Sequence, residues 1–153
     1  MPAFEPRDPG WEARVRASFA RQTVMTTIGA RLGRVAPGAV DIELPFRADL
    51  CQQHGFLHAG IVTTIADSSC GYAALSLMEP DASVLTVEFK LNLLAPARGE
   101  RLLARGRATR PGRTLTVCQA DVVAVQDGAE TPVATMLATL MALQGRAGLP
   151  TGL

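Results

Sequence analysis

The 153-residue sequence predicts an α+β fold in which one curled antiparallel sheet wraps a long central helix. Three observations carry that expectation. The run HAGIVTTIADSSCGYAALSLM, His58 to Met78, is small or apolar nearly all round, as a helix enclosed on every side must be. Strand-like runs of ten or more residues follow it, separated by turn-forming Arg110-Pro111-Gly112 and Asp127-Gly128. Strands that long exceed the usual five or six or so, so their sheet must twist and curl, and enclosing the helix buries both apolar surfaces at once.

The elements come in order. Residues 1–9, with prolines at 2, 6 and 9, are expected to be irregular and flexible. Trp11, Val15, Phe19 and Thr23 recur at spacings of four, which predicts one helix from Gly10 onward. Arg31 to Val35 and Val40 to Phe46 form a hairpin around Pro37-Gly38. The polar, glycine-punctuated stretch RADLCQQHGFLHAG is a loop feeding the long helix, which Pro80 ends. In SVLTVEFKLNLLAP, Leu85, Val87, Phe89, Leu91 and Leu93 alternate with polar residues, predicting a strand with one buried face. Glu100–Thr109, Arg113–Val125 and Thr131–Leu143 complete a meander of four strands, and the last nine or so residues fray. The whole chain, 1–153, is read as one domain. A sheet with two exposed end strands is also suited to edge-to-edge pairing across a dimer.

Composition narrows the partners. The formal net charge is +1, 48% of residues are hydrophobic and 19% charged, which gives no basis for nucleic acid or a membrane surface as partner. The central helix is about long enough to span a bilayer, but Asp67 near its middle would cost roughly 2.5–3.5 kcal/mol there. Cys51, Cys70 and Cys118 are odd in number and far apart, which fits reduced thiols in a cytoplasmic protein and neither a disulfide framework nor a zinc site. MPAFEPRDPG has no basic segment followed by an apolar run, so no secretory signal is expected.

Chemistry concentrates at two places on the helix. At its start, Gln52 to Gly60 gathers polar side chains where backbone N–H groups are unpaired and the helix dipole is positive, a setting for an anion or a polarised carbonyl. Ala59 and Gly60 are small enough to let a ligand approach the backbone. His54 and His58 are four apart, but Gly55 lies between them where a helix would be needed and no third ligand is apparent, so no metal is expected. The second place is Asp67. No basic residue lies three or four positions away; Thr63, Thr64, Cys70 and Gly71 do. It is either a buried acid satisfied by the Thr63 or Thr64 hydroxyl, or a nucleophile or general base in a dry pocket. Helical rise puts Asp67 roughly 10–13 Å from the helix start, too far for both to act on one carbonyl within one chain. A second chain running alongside in the opposite sense would supply the missing half.

The run H-A-G-I-V-T-T-I-A-D, followed by a long alternating strand ending in L-L-A-P-A, resembles the hotdog-fold thioesterases of the phenylacetate-pathway (PaaI-like) type, over about Ala30 to Leu143. That resemblance implies hydrolysis of an acyl-CoA thioester to free acid and coenzyme A, without metal or organic cofactor, by homodimers that pair into homotetramers. It implies that Asp67 is the catalytic carboxylate, that His58 takes the histidine position, and that the Ala59 N–H polarises the carbonyl. Gln52 stands where the family often has asparagine, and Thr86 where related enzymes use a small hydroxyl residue. Ala59 also departs from the family's glycine. Lys90, Arg98, Arg110 and Arg113 are candidate partners for the phosphates of coenzyme A. Two other readings sit on the same fold: a non-catalytic acyl-CoA sensor and a hydroxyacyl-thioester dehydratase.

Overall fold

A computed structural model of the chain describes residues 4–145. Helices α1 (Trp11–Arg21) and α2 (Thr23–Ile28) lead into strands β1 (Arg31–Ala36) and β2 (Ala39–Pro45). Helix α3 (Ala59–Leu75) follows, then β3 (Ser83–Leu93), β4 (Arg101–Pro111), β5 (Leu115–Gln126) and β6 (Ala129–Leu143). The strands form one antiparallel sheet in the order β1-β2-β4-β5-β6-β3. Helix α3 packs against β2 through β6, which requires the sheet to curl around it as expected.

Alternation places Val40, Ile42, Leu44, Leu102, Met136 and Leu140 on the inner face, all fully buried with Ile65, Ala66 and Cys70 of α3. Each such large aliphatic side chain contributes about 1.5–3 kcal/mol by leaving water. Close approach of helix to sheet depends on one missing side chain. A Cβ on Gly106 of β4 would lie 2.3 Å from the Ser69 carbonyl group, so α3 lies with its backbone directly on β4. The outer face carries charge instead, with Arg107 paired to Asp41 at 2.6 Å and Arg105 to Glu130.

Four expectations need correction. The first helix is broken: Gln22 is extended (φ −74°, ψ 94°) between α1 and α2, where β-branched Thr23 and Val24 weaken continuation. The meander holds only for β4, β5 and β6, because β3 crosses to the far edge and pairs with β6. The crossover, residues 94–100, passes beside the start of α3, where Ala97 accepts from the Leu57 N–H at 2.9 Å.

Strand β3 itself has no buried face in the single chain; Val87 and Leu93 are each 54% exposed. Nor does it alternate evenly. A bulge between Thr86 and Glu88 leaves Val87 as an extra residue opposite β6. Thr86 and Val84 oppose the inward Leu140 and Ala142, while beyond the bulge Phe89, Leu91 and Leu93 oppose the inward Ala138, Met136 and Ala134. Thr86 therefore shares a face with Phe89, not with Glu88.

Finally, α3 stops at Leu75, before the Pro80 boundary. The Arg14 guanidinium donates to the carbonyls of Leu75 (3.1 Å), Met78 (2.8 Å) and Glu79, and pairs with Asp8 at 3.0 Å. Of the ends expected to be flexible, residues 1–3 and 146–153 lie outside the described residues. Residues 4–9 are irregular but docked: Asp8 is buried, and a Cβ on Gly38 would meet the Phe4 ring at 2.7 Å.

Candidate active site

The start of α3 is built by a tight loop. Gln52 accepts from the Gly55 N–H at 3.0 Å through its carbonyl, with Gly55 at φ +80°, and its side-chain oxygen accepts from the His54 N–H. His58 is the N-cap: its Nδ1 accepts from the Gly60 N–H at 2.9 Å. A Cβ on Gly60 would approach that nitrogen to 3.1 Å, so glycine here leaves room for the folded-back imidazole. The Ile61 and Val62 N–H groups both donate to the His58 carbonyl. Of the four helix-start donors, Ala59 alone has no acceptor among the described residues. It faces a cleft of about 350 Å³ lined also by Gln52, Phe56, Leu93, Leu94 and Pro96.

Asp67 lies in a different cavity. This one holds about 280 Å³ and is lined by Asp67, Thr86, Ser68, Tyr72, Ser18 and Gln22, among others. Thr86 donates to Asp67 Oδ1 at 2.8 Å, a contact that the β3 bulge makes possible by turning Thr86 inward. The hydroxyls of Thr63 and Thr64 do not satisfy Asp67; they bond back to the carbonyls of Ala59 (2.8 Å) and Gly60 (2.7 Å). Burial raises the Asp67 carboxyl above its ordinary pKa, and the Thr86 hydrogen bond opposes that rise. A carboxylate held this way is a stronger base than a solvated one, and among the described residues its hydrogen bond from Thr86 engages one oxygen only.

The remaining selected residues do not gather within the chain. Lys90 is on the outer face, where its Nζ donates to Asn92 at 2.6 Å. Arg98 is exposed on the crossover beside the helix-start cleft. Arg110, in β4, and Arg113, on the β4–β5 turn, are exposed at the Thr86 end of the sheet along the register Thr86–Leu140–Thr116–Pro111. Among the described residues no group of three His, Cys, Asp or Glu side chains is placed to hold a metal, and no helix is long and apolar enough to cross a membrane. Burial pushes the Cys118 thiol up to about 12 and raises Cys70 further, so both are inert packing groups. Sequence reasoning passed over Tyr72, which shares α3 with Asp67, and over Ser18 and Gln22, which only the packing of α1 on α3 brings to the same cavity.

Comparison with known proteins agrees with this geometry. Residues 54–131 match the Thioesterase superfamily. A thioesterase family protein from Silicibacter pomeroyi is 59% identical, with a TM-score of 0.87 over 89% of this chain and all of that one. The E. coli PaaI protein from the phenylacetic acid degradation operon superposes with a TM-score of 0.80 over 89% of this chain and 95% of that one, at 17% identity. A Saccharolobus solfataricus protein, SSO2140, named a candidate esterase, is 30% identical over 82 residues, 54% of this chain. The chain spans 58% of that relative's length. The chain belongs to the thioesterase superfamily and has the hotdog fold, which PaaI shares.

Proposed function

We propose that the protein hydrolyses an acyl-CoA thioester to a free acid and coenzyme A, as a homodimer whose sites are each shared between two protomers. One observation carries this reading: the open Ala59 N–H and the Asp67 carboxylate occupy separate clefts on one helix. Eight residues of rise separate them by about 12 Å, so each cleft is half of a site. Two antiparallel α3 helices would bring the Ala59 half of one protomer against the Asp67 half of the other. The uncovered edge of β3, with Phe89 and Leu93 exposed, supports pairing along that edge. The outer row Leu115–Met141–Leu85, exposed at both ends, supports further pairing of dimers into a homotetramer.

In this reading the Ala59 N–H, at the positive end of α3, donates to the thioester oxygen as it becomes an oxyanion, a contribution of about 2.7–4 kcal/mol. Asp67 of the partner subunit attacks the carbonyl carbon to form a mixed anhydride, or takes a proton from the attacking water. In either route the C–S bond breaks, coenzyme A leaves as the thiolate and recovers a proton, and water supplies the acid's new oxygen. Thr86 orients the carboxylate, Gln52 presents its amide to the cleft, and His58 with Gly60 fixes the helix start. Arg98 beside one half-site, and Arg110 and Arg113 near the other, would flank one coenzyme A in such a dimer; Lys90 lies on the outer face. No metal or organic cofactor is needed. A cytoplasmic location fits the three free thiols, Cys51, Cys70 and Cys118.

Complementation between chains tests both the activity and the sharing. Asp67→Asn removes the base and should lower turnover of acyl-CoA by about 10²–10⁴-fold. Ala59→Pro removes the open donor at a helix position that tolerates proline, after a residue already extended at φ −60° and ψ 140°. Each variant alone should be nearly inactive in a thiol-release assay. Refolded as a mixture, half of the dimers are mixed and each regains one intact site, restoring about a quarter of wild-type activity. No recovery on mixing, or full turnover in either variant, would refute the shared site. No thiol release from any acyl-CoA by the wild type would remove the thioesterase assignment.

A further inference from the structure

Two charges on β3 have no opposite within the chain. Glu88 accepts from the Thr139 hydroxyl at 3.1 Å and Lys90 donates to the Asn92 side chain at 2.6 Å, and neither has an ion-pair partner among the described residues. Both are exposed on the outer side of the strand, flanking Phe89, which faces the other way and is 47% exposed. All three lie on the free edge of the sheet, in a stretch from Glu88 to Leu93 that pairs with β6 in unbroken register. The opposite edge is built against pairing: β1 has six residues, a bulge between Leu32 and Val35, and exposed Arg31 and Arg34.

The two half-sites restrict how a second β3 can lie along the free edge. Val84 and Thr86 line the Asp67 cavity, and Leu93 lines the Ala59 cleft. Joining one cavity to the partner's cleft puts the partner's Leu93 opposite Val84 or Thr86. Residues opposed in antiparallel strands share a face, so a two-fold axis passes through one residue and opposes it to its own copy. With the extra residue Val87 left out of the count, that residue is Phe89 or Lys90. Centring on Lys90 would set two ammonium groups against each other, which destabilises a sheet. Centring on Phe89 sets Glu88 against the partner's Lys90 and Lys90 against the partner's Glu88, while the two Phe89 rings meet across the axis.

We infer that two β3 strands pair in the register centred on Phe89, and that Glu88, Phe89 and Lys90 are positioning residues that bring the Ala59 cleft of one protomer onto the Asp67 cavity of the other. The register rests on the shared-site reading above and adds the contacts that set it.

Charge exchange tests the register in the full chain. Glu88→Lys and Lys90→Glu each oppose like charges across the edge, so each variant alone should dissociate more readily in sedimentation, with acyl-CoA turnover falling on dilution. Mixed one to one, the two variants offer each other only opposite charges. They should form a heterodimer about tenfold tighter than either homodimer, with turnover restored. Phe89→Cys is an independent measure, because opposed residues lie about 4.5–5.5 Å apart at Cα, within reach of a disulfide. Mild oxidation should link it into covalent dimers, whereas Leu91→Cys, about 13 Å along the strand from its own copy, should stay unlinked. Should a charge variant fail to fold, seen in its melting curve, the two cysteine variants decide. No preference for the heterodimer, or linking through Leu91→Cys and not Phe89→Cys, would overturn the register while wild-type turnover leaves the thioesterase reading intact. Thiol release by a wild type that is monomeric would remove the shared site and the register together. No thiol release, with the heterodimer and the Phe89→Cys link both present, would remove the thioesterase reading alone.

Discussion

The two ends of α3 are satisfied to opposite degrees. At the carboxyl end, the Arg14 guanidinium reaches the carbonyls of Leu75, Met78 and Glu79, and the Ser76 hydroxyl donates to Ala73 and accepts from Gly38. At the amino end, one imidazole caps one amide, and the Ala59 N–H is left facing a cleft. A helix held only for stability gains nothing from leaving an end open. The fold anchors this helix at one terminus and leaves a backbone donor open at the other, the feature on which the proposed oxyanion site rests.

Substitutions at each end should separate the two roles. The largest effect belongs to Arg14→Leu, which strips several carbonyls of a charged donor and leaves Asp8 buried without its partner. We expect a loss of about 3 kcal/mol in denaturant unfolding, with the denaturation midpoint falling and kcat of the remaining folded protein little changed. A smaller change should follow His58→Ala: about 1 kcal/mol from the lost cap, recovered by His58→Ser, which caps through its hydroxyl. Equal losses at the two ends would erase the comparison. The smallest effect should come from Thr86→Val, read as a pH profile. Removing the hydroxyl takes away the contact that lowers the Asp67 pKa, so the acid limb of the rate profile should move to higher pH. Stability carries the matching sign. The folded state binds the Asp67 proton more tightly than the unfolded chain, so this contribution is full below the ordinary carboxylate range. It is lost as pH rises through the raised value. Unfolding measured across mildly acidic pH should show that decline in the wild type and not in Asp67→Asn.

Much of this was legible in the residues. The all-round apolar pattern from His58 to Met78 gave the helix, period-two runs gave the long strands, and Asp67 stood out as a charge with no local partner. The helix-rise distance already put the helix start and Asp67 too far apart to act on one carbonyl within one chain. What was hidden depends on packing between distant segments. Nothing in TVEFKL marks Val87 as extra, because alternation continues unbroken through it and only pairing with β6 creates the bulge. Arg14 looks like one basic residue of a surface helix until the end of α3 is laid against it. The extended backbone at Gln22 has no glycine or proline to announce it. The order β5-β6-β3 is likewise a choice between sheet edges, which local propensity cannot make.

The extra residue at Val87 has a further effect. It sets the two halves of one strand out of phase, so that the inward positions are Val84 and Thr86 before it and Phe89, Leu91 and Leu93 after it. Changes that suit a new neighbour along that edge can accumulate from Glu88 onward without rotating Thr86 away from Asp67. The proposed assembly and the proposed chemistry, though written on the same eleven-residue strand, would then drift independently.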